Sequence, residues 1–326
     1  MTPLQDSFGR KFPYLRLSVT DACNFRCQYC LPDGYQKQDN MKFLSVEEIT
    51  RLVKAFAGIG MWKIRLTGGE PTIRKDFLEI ATNIAKIPGI REIAVTTNGY
   101  HLAKQAQDYY DAGITALNVS IDSLNHIRFK NITGHDRLEL IIDGLDKAKQ
   151  AGFKRIKINA VLLKGINDDE LDSFLTWIKN EPISVRFIEL MQTGQNLEYF
   201  HAHHLSGEVI LQSLRDRGWT EAPRKEGAGP AIEMKHDQYQ GSVGVISPYS
   251  KDFCKSCNRL RVTARGELML CLFGSKAYNL RQYLRSDDQM LELQDKIQEL
   301  LHFKTASHYL QQGNTGITPH LASIGG

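Results

Sequence analysis

Six short segments in the first 190 residues alternate apolar and polar side chains: Tyr14–Thr20, Lys63–Thr67, Glu92–Thr97, Ala116–Ser120, Ile156–Val161 and Ser184–Glu189. Stretches with helical apolar spacing separate most of them, at residues 45–60, Phe77–Ile87, Leu102–Ala112, Leu138–Ala151 and Glu170–Lys179. This alternation predicts an α/β fold with a parallel sheet of right-handed crossover units. Six units predict an incomplete (β/α)6 barrel of the TIM type, and a doubly wound open sheet is the alternative. The first helix carries its own start signal, Ser45 with Glu48 three residues on, and Gly58 and Gly60 mark its end.

Period two splits each strand into faces. Leu15, Leu17 and Val19 oppose Arg16, Ser18 and Thr20, while Ile64 and Leu66 oppose Lys63, Arg65 and Thr67. Ile93 and Val95 oppose Ala94, Thr96 and Asn98, and Leu117 and Val119 oppose Asn118 and Ser120. Ile156 and Ile158 oppose Lys157 and Asn159, and Val185 and Phe187 oppose Ser184, Arg186 and Ile188. With helices over the apolar faces, the polar faces turn inward. A packed barrel interior is mostly branched aliphatic, whereas this one would hold Arg16, Arg65, Lys157 and Arg186. Enclosed cations require anions, and a nucleotide triphosphate would supply them. The competing readings are solvent exposure, or pairing with Glu70, Glu92 and Glu189.

The chain of 326 residues has a net charge of only +4, which gives no bulk case for nucleic-acid binding. No apolar run is long enough for a membrane span, and the first residues lack a hydrophobic signal region, so a cytoplasmic protein is expected. Clustered thiols in that reducing compartment are metal ligands or catalysts rather than disulfides. The six cysteines fall into two triplets. Cys23, Cys27 and Cys30, spaced C-x3-C-x2-C, follow the first strand at its C-terminal end, where catalytic residues collect in such folds. Three thiolates suit a four-iron cluster with one open iron; a zinc site with His101 or Asp21 as fourth ligand is the alternative. Cys254, Cys257 and Cys271, spaced C-x2-C-x13-C, form a second incomplete set, with one shared site or a zinc ribbon completed by His236 also open. Residues 221–231, rich in Gly, Pro and charge, suggest a division into 1–230 and 231–326. Asn279–Leu310 reads as mostly helical.

The first triplet, with Tyr29 before its last cysteine, resembles the signature of the radical S-adenosylmethionine superfamily. "LTGGEP" (66–71), "NVSID" (118–122) and "FIELM" (187–191) close the second, fourth and sixth strands on the same side. Together with "TTNG", "IKINAV", the "NRLR" inside the second triplet and the final "IGG", these segments are similar to the GTP 3′,8-cyclase family of molybdenum-cofactor biosynthesis along nearly the whole chain.

The resemblance implies a lyase with two [4Fe-4S] clusters, one on each triplet, that uses S-adenosyl-L-methionine. Tyr29, Gly69, Ser120 and Met191 would line that cofactor. Arg16, Arg65, Thr96, Lys157, Arg259, Leu260 and Arg261 would contact GTP, and the second cluster would hold the guanine. Arg259, Arg261, Gly325 and Gly326 would serve catalysis, the glycine tail reaching toward the guanine-binding arginines; Leu321 departs from an expected methionine. The implied chemistry is reductive cleavage of S-adenosylmethionine, hydrogen abstraction from C3′ of GTP, and attack on C8 to give (8S)-3′,8-cyclo-7,8-dihydroguanosine 5′-triphosphate. Implied partners are an electron donor such as flavodoxin or ferredoxin, a downstream cyclic pyranopterin synthase, and a second copy in a homodimer. A two-cluster enzyme that modifies peptides and a zinc-stabilised interaction protein are the alternatives.

Overall fold

The computed structural model describes residues 4–37, 42–318 and 320–323. Its first half alternates β1 (Tyr14–Thr20), α1 (Val46–Gly58), β2 (Lys63–Gly68), α2 (Phe77–Ala85), β3 (Glu92–Thr97), α3 (Leu102–Asp111) and β4 (Ala116–Ser120). Then follow α4 (His126–Thr133), α5 (Leu138–Gln150), β5 (Ile156–Leu162), α6 (Leu171–Ile178) and β6 (Ser184–Glu189). Beyond lie α7 (Leu197–His203), α8 (Glu208–Asp216), β7 (Thr220–Glu221), β8 (Ile232–Lys235), β9 (Ser242–Ile246), β10 (Arg259–Val262), β11 (Glu267–Met269), β12 (Tyr278–Asn279) and α9 (Met290–Leu301).

The sheet runs β12-β11-β10-β1-β2-β3-β4-β5-β6-β9-β8-β7 and is not closed. The six expected strands lie side by side and parallel, as an incomplete barrel. The later part of the chain extends both edges of that barrel. β10 pairs in parallel with β1, and β9 pairs in parallel with β6. The outer strands β11, β12, β8 and β7 are antiparallel hairpin partners.

The apolar faces read from the sequence form the core. Leu15, Leu17, Val19, Ile64, Leu66, Val95, Leu117, Val119, Ile158 and Val185 are fully enclosed beneath the helices. Each such side chain contributes roughly 1.5–3 kcal/mol by leaving water. Helix α1 begins as expected, with Ser45 and Glu48 capping each other's backbone N–H. Glu48 also pairs with Arg281 at 2.8 Å, tying α1 to the later chain, where α9 packs on it.

Asn279–Leu310 is mostly helical as expected, with 3-10 turns Arg281–Tyr283 and Asp287–Gln289 leading into α9, Met290–Leu301. At its start the edge strand β12 takes residues 278–279 to pair with β11. Among the described residues no helix is long and apolar enough to cross a membrane.

Candidate functional site

The inward strand faces enclose a cavity of about 1370 Å³. Arg16, Arg65, Lys157 and Arg186 all line it, joined by Arg259 and Arg261 from β10. Sheet register sets their places: Arg16 stands beside Arg65 on one side and Arg261 on the other. The three glutamates weighed as partners for Arg16, Arg65, Lys157 and Arg186 bind other groups. Glu70 accepts from Thr72, Thr97 and Asn98, Glu92 binds Lys63 and Arg155, and Glu189 binds His204.

Two further residues organise the cations. Arg65 donates its Nε to the buried Tyr14 hydroxyl and its Nη1 to Thr96 Oγ1 at 3.0 Å. Burial opposes ionisation of Tyr14, yet Arg65, Arg16 and Lys63 outweigh it and bring the phenol down to about 8. Thr96 thus acts on the cavity through Arg65. Arg186 and Lys157 share Glu233 of β8. Burial, then the neighbouring Arg186, pulls the Lys157 amine down to about 7 despite Glu233. The Nε–H groups of Arg186, Arg259 and Arg261 are buried and donate to no partner among the described residues. Buried donors of this kind suit an anionic ligand.

Cys254, Cys257 and Cys271 line the same cavity. Burial opposes ionisation of Cys257, but Lys304, Arg259 and Arg261 bring its thiol down to about 7. Lys304 is itself buried and donates to the Leu270 carbonyl. Leu260, between the two arginines, turns its side chain into the core, so only its backbone is available to a ligand.

The first triplet follows β1 outside the lining of this cavity. A turn closes it, with Cys30 N–H donating to Cys27 O at 2.9 Å. The glycines of "LTGGEP" are required by protein backbone: a Cβ on Gly68 would lie 2.1 Å from Thr20 O, and one on Gly69 2.2 Å from Ala22 O. Gly68 also has φ +143, open mainly to glycine. This loop therefore braces the segment leading into Cys23. Tyr29 donates to Asp122 Oδ2 at 2.9 Å, and Asp122 also accepts from Val161 N–H. Ser120 ends β4 in register with Asn159. Met191 lines the cavity and packs on Phe273. The backbone N–H groups of Leu321 and Ala322 meet the Cys30 sulfur. Gly325 and Gly326 lie outside the described residues.

The donor sets fit iron–sulfur clusters. All six cysteines are unbridged. Burial pushes Cys23 up to about 11 and Cys30 up to about 12, and holds Cys27 well above its ordinary value. Enclosed thiols of this kind become thiolates when a metal supplies the charge. Three cysteines with no fourth protein ligand among the described residues suit a cluster, which takes each thiolate on a separate iron. The residues weighed as a fourth zinc ligand have other partners: Asp21 binds Arg265 at 2.7 Å, His101 packs on Tyr100, and His236 accepts from Gln238 N–H.

Sequence reasoning missed Tyr14, Lys63, Asp122, Glu233 and Lys304 as site residues. Tyr14 was within reach, since strand parity puts it on the face of Arg16. Asp122 stands within the motif that singled out Ser120.

Residues 17–178 match the Radical SAM superfamily and residues 183–310 match Molybdenum Cofactor Synthesis C. A GTP 3′,8-cyclase of Stenotrophomonas maltophilia is 57% identical over 326 residues, covering 100% of both chains. One of Aeromonas hydrophila is 55% identical over 331 residues, covering 100% of this chain and 97% of the relative. Among solved structures, SuiB of Streptococcus suis bound to S-adenosylmethionine shares the fold, with a TM-score of 0.65 at 13% identity over 90% of this chain and 68% of that one. Full-length identity at this level does not favour the peptide-modifying or zinc-protein readings, and the chain belongs to the GTP 3′,8-cyclase family.

Proposed function

We propose that this protein is a GTP 3′,8-cyclase that converts GTP to (8S)-3′,8-cyclo-7,8-dihydroguanosine 5′-triphosphate with S-adenosyl-L-methionine and a reductant. The observation that carries the reading is one cavity lined by Arg16, Arg65, Lys157, Arg186, Arg259 and Arg261 together with one cysteine triplet. That pairing suits a ligand with a phosphate chain and a metal-binding base.

Cys23, Cys27 and Cys30 would hold the cluster that, with S-adenosylmethionine, supplies a carbon radical by one-electron reductive cleavage. Cys254, Cys257 and Cys271 would hold a second. Tyr29, Gly69, Ser120 and Met191 are proposed to line S-adenosylmethionine. Arg16, Arg65, Lys157 and Arg186 neutralise the phosphates, Thr96 steadies Arg65, and Arg259 and Arg261 flank the guanine end. A carbon radical attacks almost any C–H bond within reach, so this chain's task is to fix the ribose and exclude alternatives. Gly325 and Gly326 are proposed to support that step. The remaining proposals are residues 231–326 as the unit carrying the second cluster, a flavodoxin or ferredoxin donor, a cyclic pyranopterin synthase receiving the product, a homodimer, and a cytoplasmic setting.

Anaerobic incubation with GTP, S-adenosylmethionine and dithionite tests the reading. A cyclised triphosphate together with 5′-deoxyadenosine is expected. Formation of 5′-deoxyadenosine without any change in GTP would overturn it.

A further inference from the structure

Glu233 places a carboxylate among the cations assigned to the phosphates. It pairs with Arg186, lies 4.0 Å from Lys157 Nζ, and accepts from Ser184 Oγ at 3.1 Å. Strand order brings it there, because β9 lies between β6 and β8 and carries Gly244 beside Arg186. A side chain at Gly244 would crowd both partners, its Cβ 3.1 Å from Arg186 Cγ and 3.3 Å from Glu233 Oε2. The glycine thus leaves room for the ion pair inside the cavity.

An anion in an anion site needs a reason. Buried cations repel and are costly to desolvate without a counter-charge. Glu233 supplies that charge in the nucleotide-free protein. A terminal phosphate carries about two charges and three acceptor oxygens for the same donors. Carboxylate and phosphate cannot both hold Arg186 and Lys157 closely without mutual repulsion.

We propose that Glu233 is a resident counter-anion of the phosphate subsite, which yields Arg186 and Lys157 to the terminal phosphate of a bound nucleoside triphosphate and thereby tempers affinity for the phosphate chain. The proposal rests on the GTP reading above. Its role is positioning and selectivity, since Glu233 acts on the nucleotide through the two cations.

The test is equilibrium binding of GTP, GMP and inorganic tripolyphosphate to the cluster-loaded wild type, Glu233→Gln and Glu233→Ala, with thermal melts of each. Both variants should bind GTP and tripolyphosphate about tenfold more tightly. GMP affinity should stay within about twofold, because a monophosphate leaves the far end of the cation set unfilled. The nucleotide-free variants should melt lower than wild type, and saturating tripolyphosphate should close the gap. Weaker triphosphate binding in both variants overturns the proposal and assigns Glu233 to holding Arg186 in shape. Equal tightening for GMP and GTP overturns it in favour of a general field effect. Failure of the wild type to bind GTP while it binds tripolyphosphate would sink the GTP reading, and the variant comparison with tripolyphosphate would still decide the role of Glu233.

Discussion

Arg16 on β1 stands in parallel register with Arg261 on β10. Arg65 on β2 is its register neighbour on the other side, so three adjacent strands present a row of guanidinium groups to one cavity. The next position along the row, on β3, is Ala94, which leaves the space in front of the arginines open. Burial, then repulsion from Arg261, Arg65 and Arg259, lowers the basicity of Arg16 despite the opposing pull of Tyr14. Such a row is unfavourable for folding and serves binding, a trade commonly concentrated at functional sites.

Arg65→Ala should weaken GTP binding by roughly 1.5–3 kcal/mol, the range for a charge-assisted contact. Tyr14→Phe should weaken it less, by about 1 kcal/mol, because it removes one hydrogen bond that orients Arg65. S-adenosylmethionine binding should hold in both. Calorimetric titration of each ligand distinguishes this from a general structural role, which would lower both affinities together.

Lys157 should make GTP binding dependent on pH. Its amine lies near 7 in the nucleotide-free protein, depressed from 10.5. A depressed lysine favours the neutral folded form, so its contribution to stability is present above 10.5 and is lost as pH falls to about 7. Lys157→Met should therefore remove this fall in stability between pH 10.5 and about 7. Phosphate oxygens favour the ammonium form, so wild type should take up a proton on binding GTP at about pH 8.5, and affinity should fall as pH rises further. Titrations in buffers of different ionisation enthalpy read that proton directly. Equal uptake in Lys157→Met would assign the proton to another group.

Cys27→Ala should abolish 5′-deoxyadenosine formation and lower bound iron. Cys257→Ala should lose iron too, while retaining the spectral signature of the first cluster and its response to S-adenosylmethionine. Iron content equal to wild type in both variants would show that the two triplets do not hold separate clusters.

The strands were legible because period two is strict where one face meets helices and the other a cavity: Leu15 and Leu17 lie in the core, while Arg16 faces inward. Helix α4 was not legible. Its Phe129 and Ile132 are buried but Ile127 is exposed, so no clean stripe marks it, and only the Asn125 cap and the left-handed Gly134 bound it. Cation placement could be read strand by strand. Partner choice could not, because Arg186 and Glu233 meet only after β9 inserts between their strands. The position of Arg261 beside Arg16 likewise depends on β10 joining the sheet edge, a long-range pairing with no local signal.

The last prediction concerns the "IGG" segment. The turn Leu321–Ser323 precedes it, and the amides of Leu321 and Ala322 meet the Cys30 sulfur, with Ala322 buried. The residues leading to the glycines are thus held at the first triplet, while Arg259 and Arg261 line the neighbouring cavity. Glycine backbone can enter a narrow space and adopt dihedrals closed to other residues. Deleting Gly325 and Gly326 should lower the cyclisation rate at least about tenfold, the scale expected when a reacting group loses its position. Iron content and melting temperature should stay at wild-type values, since the pair supplies no cluster ligand and no apolar side chain. Uncoupled 5′-deoxyadenosine formation should persist in the truncated protein, because the three cysteines of the first triplet remain. Full cyclisation with normal iron content would show that the two glycines take no part in the reaction.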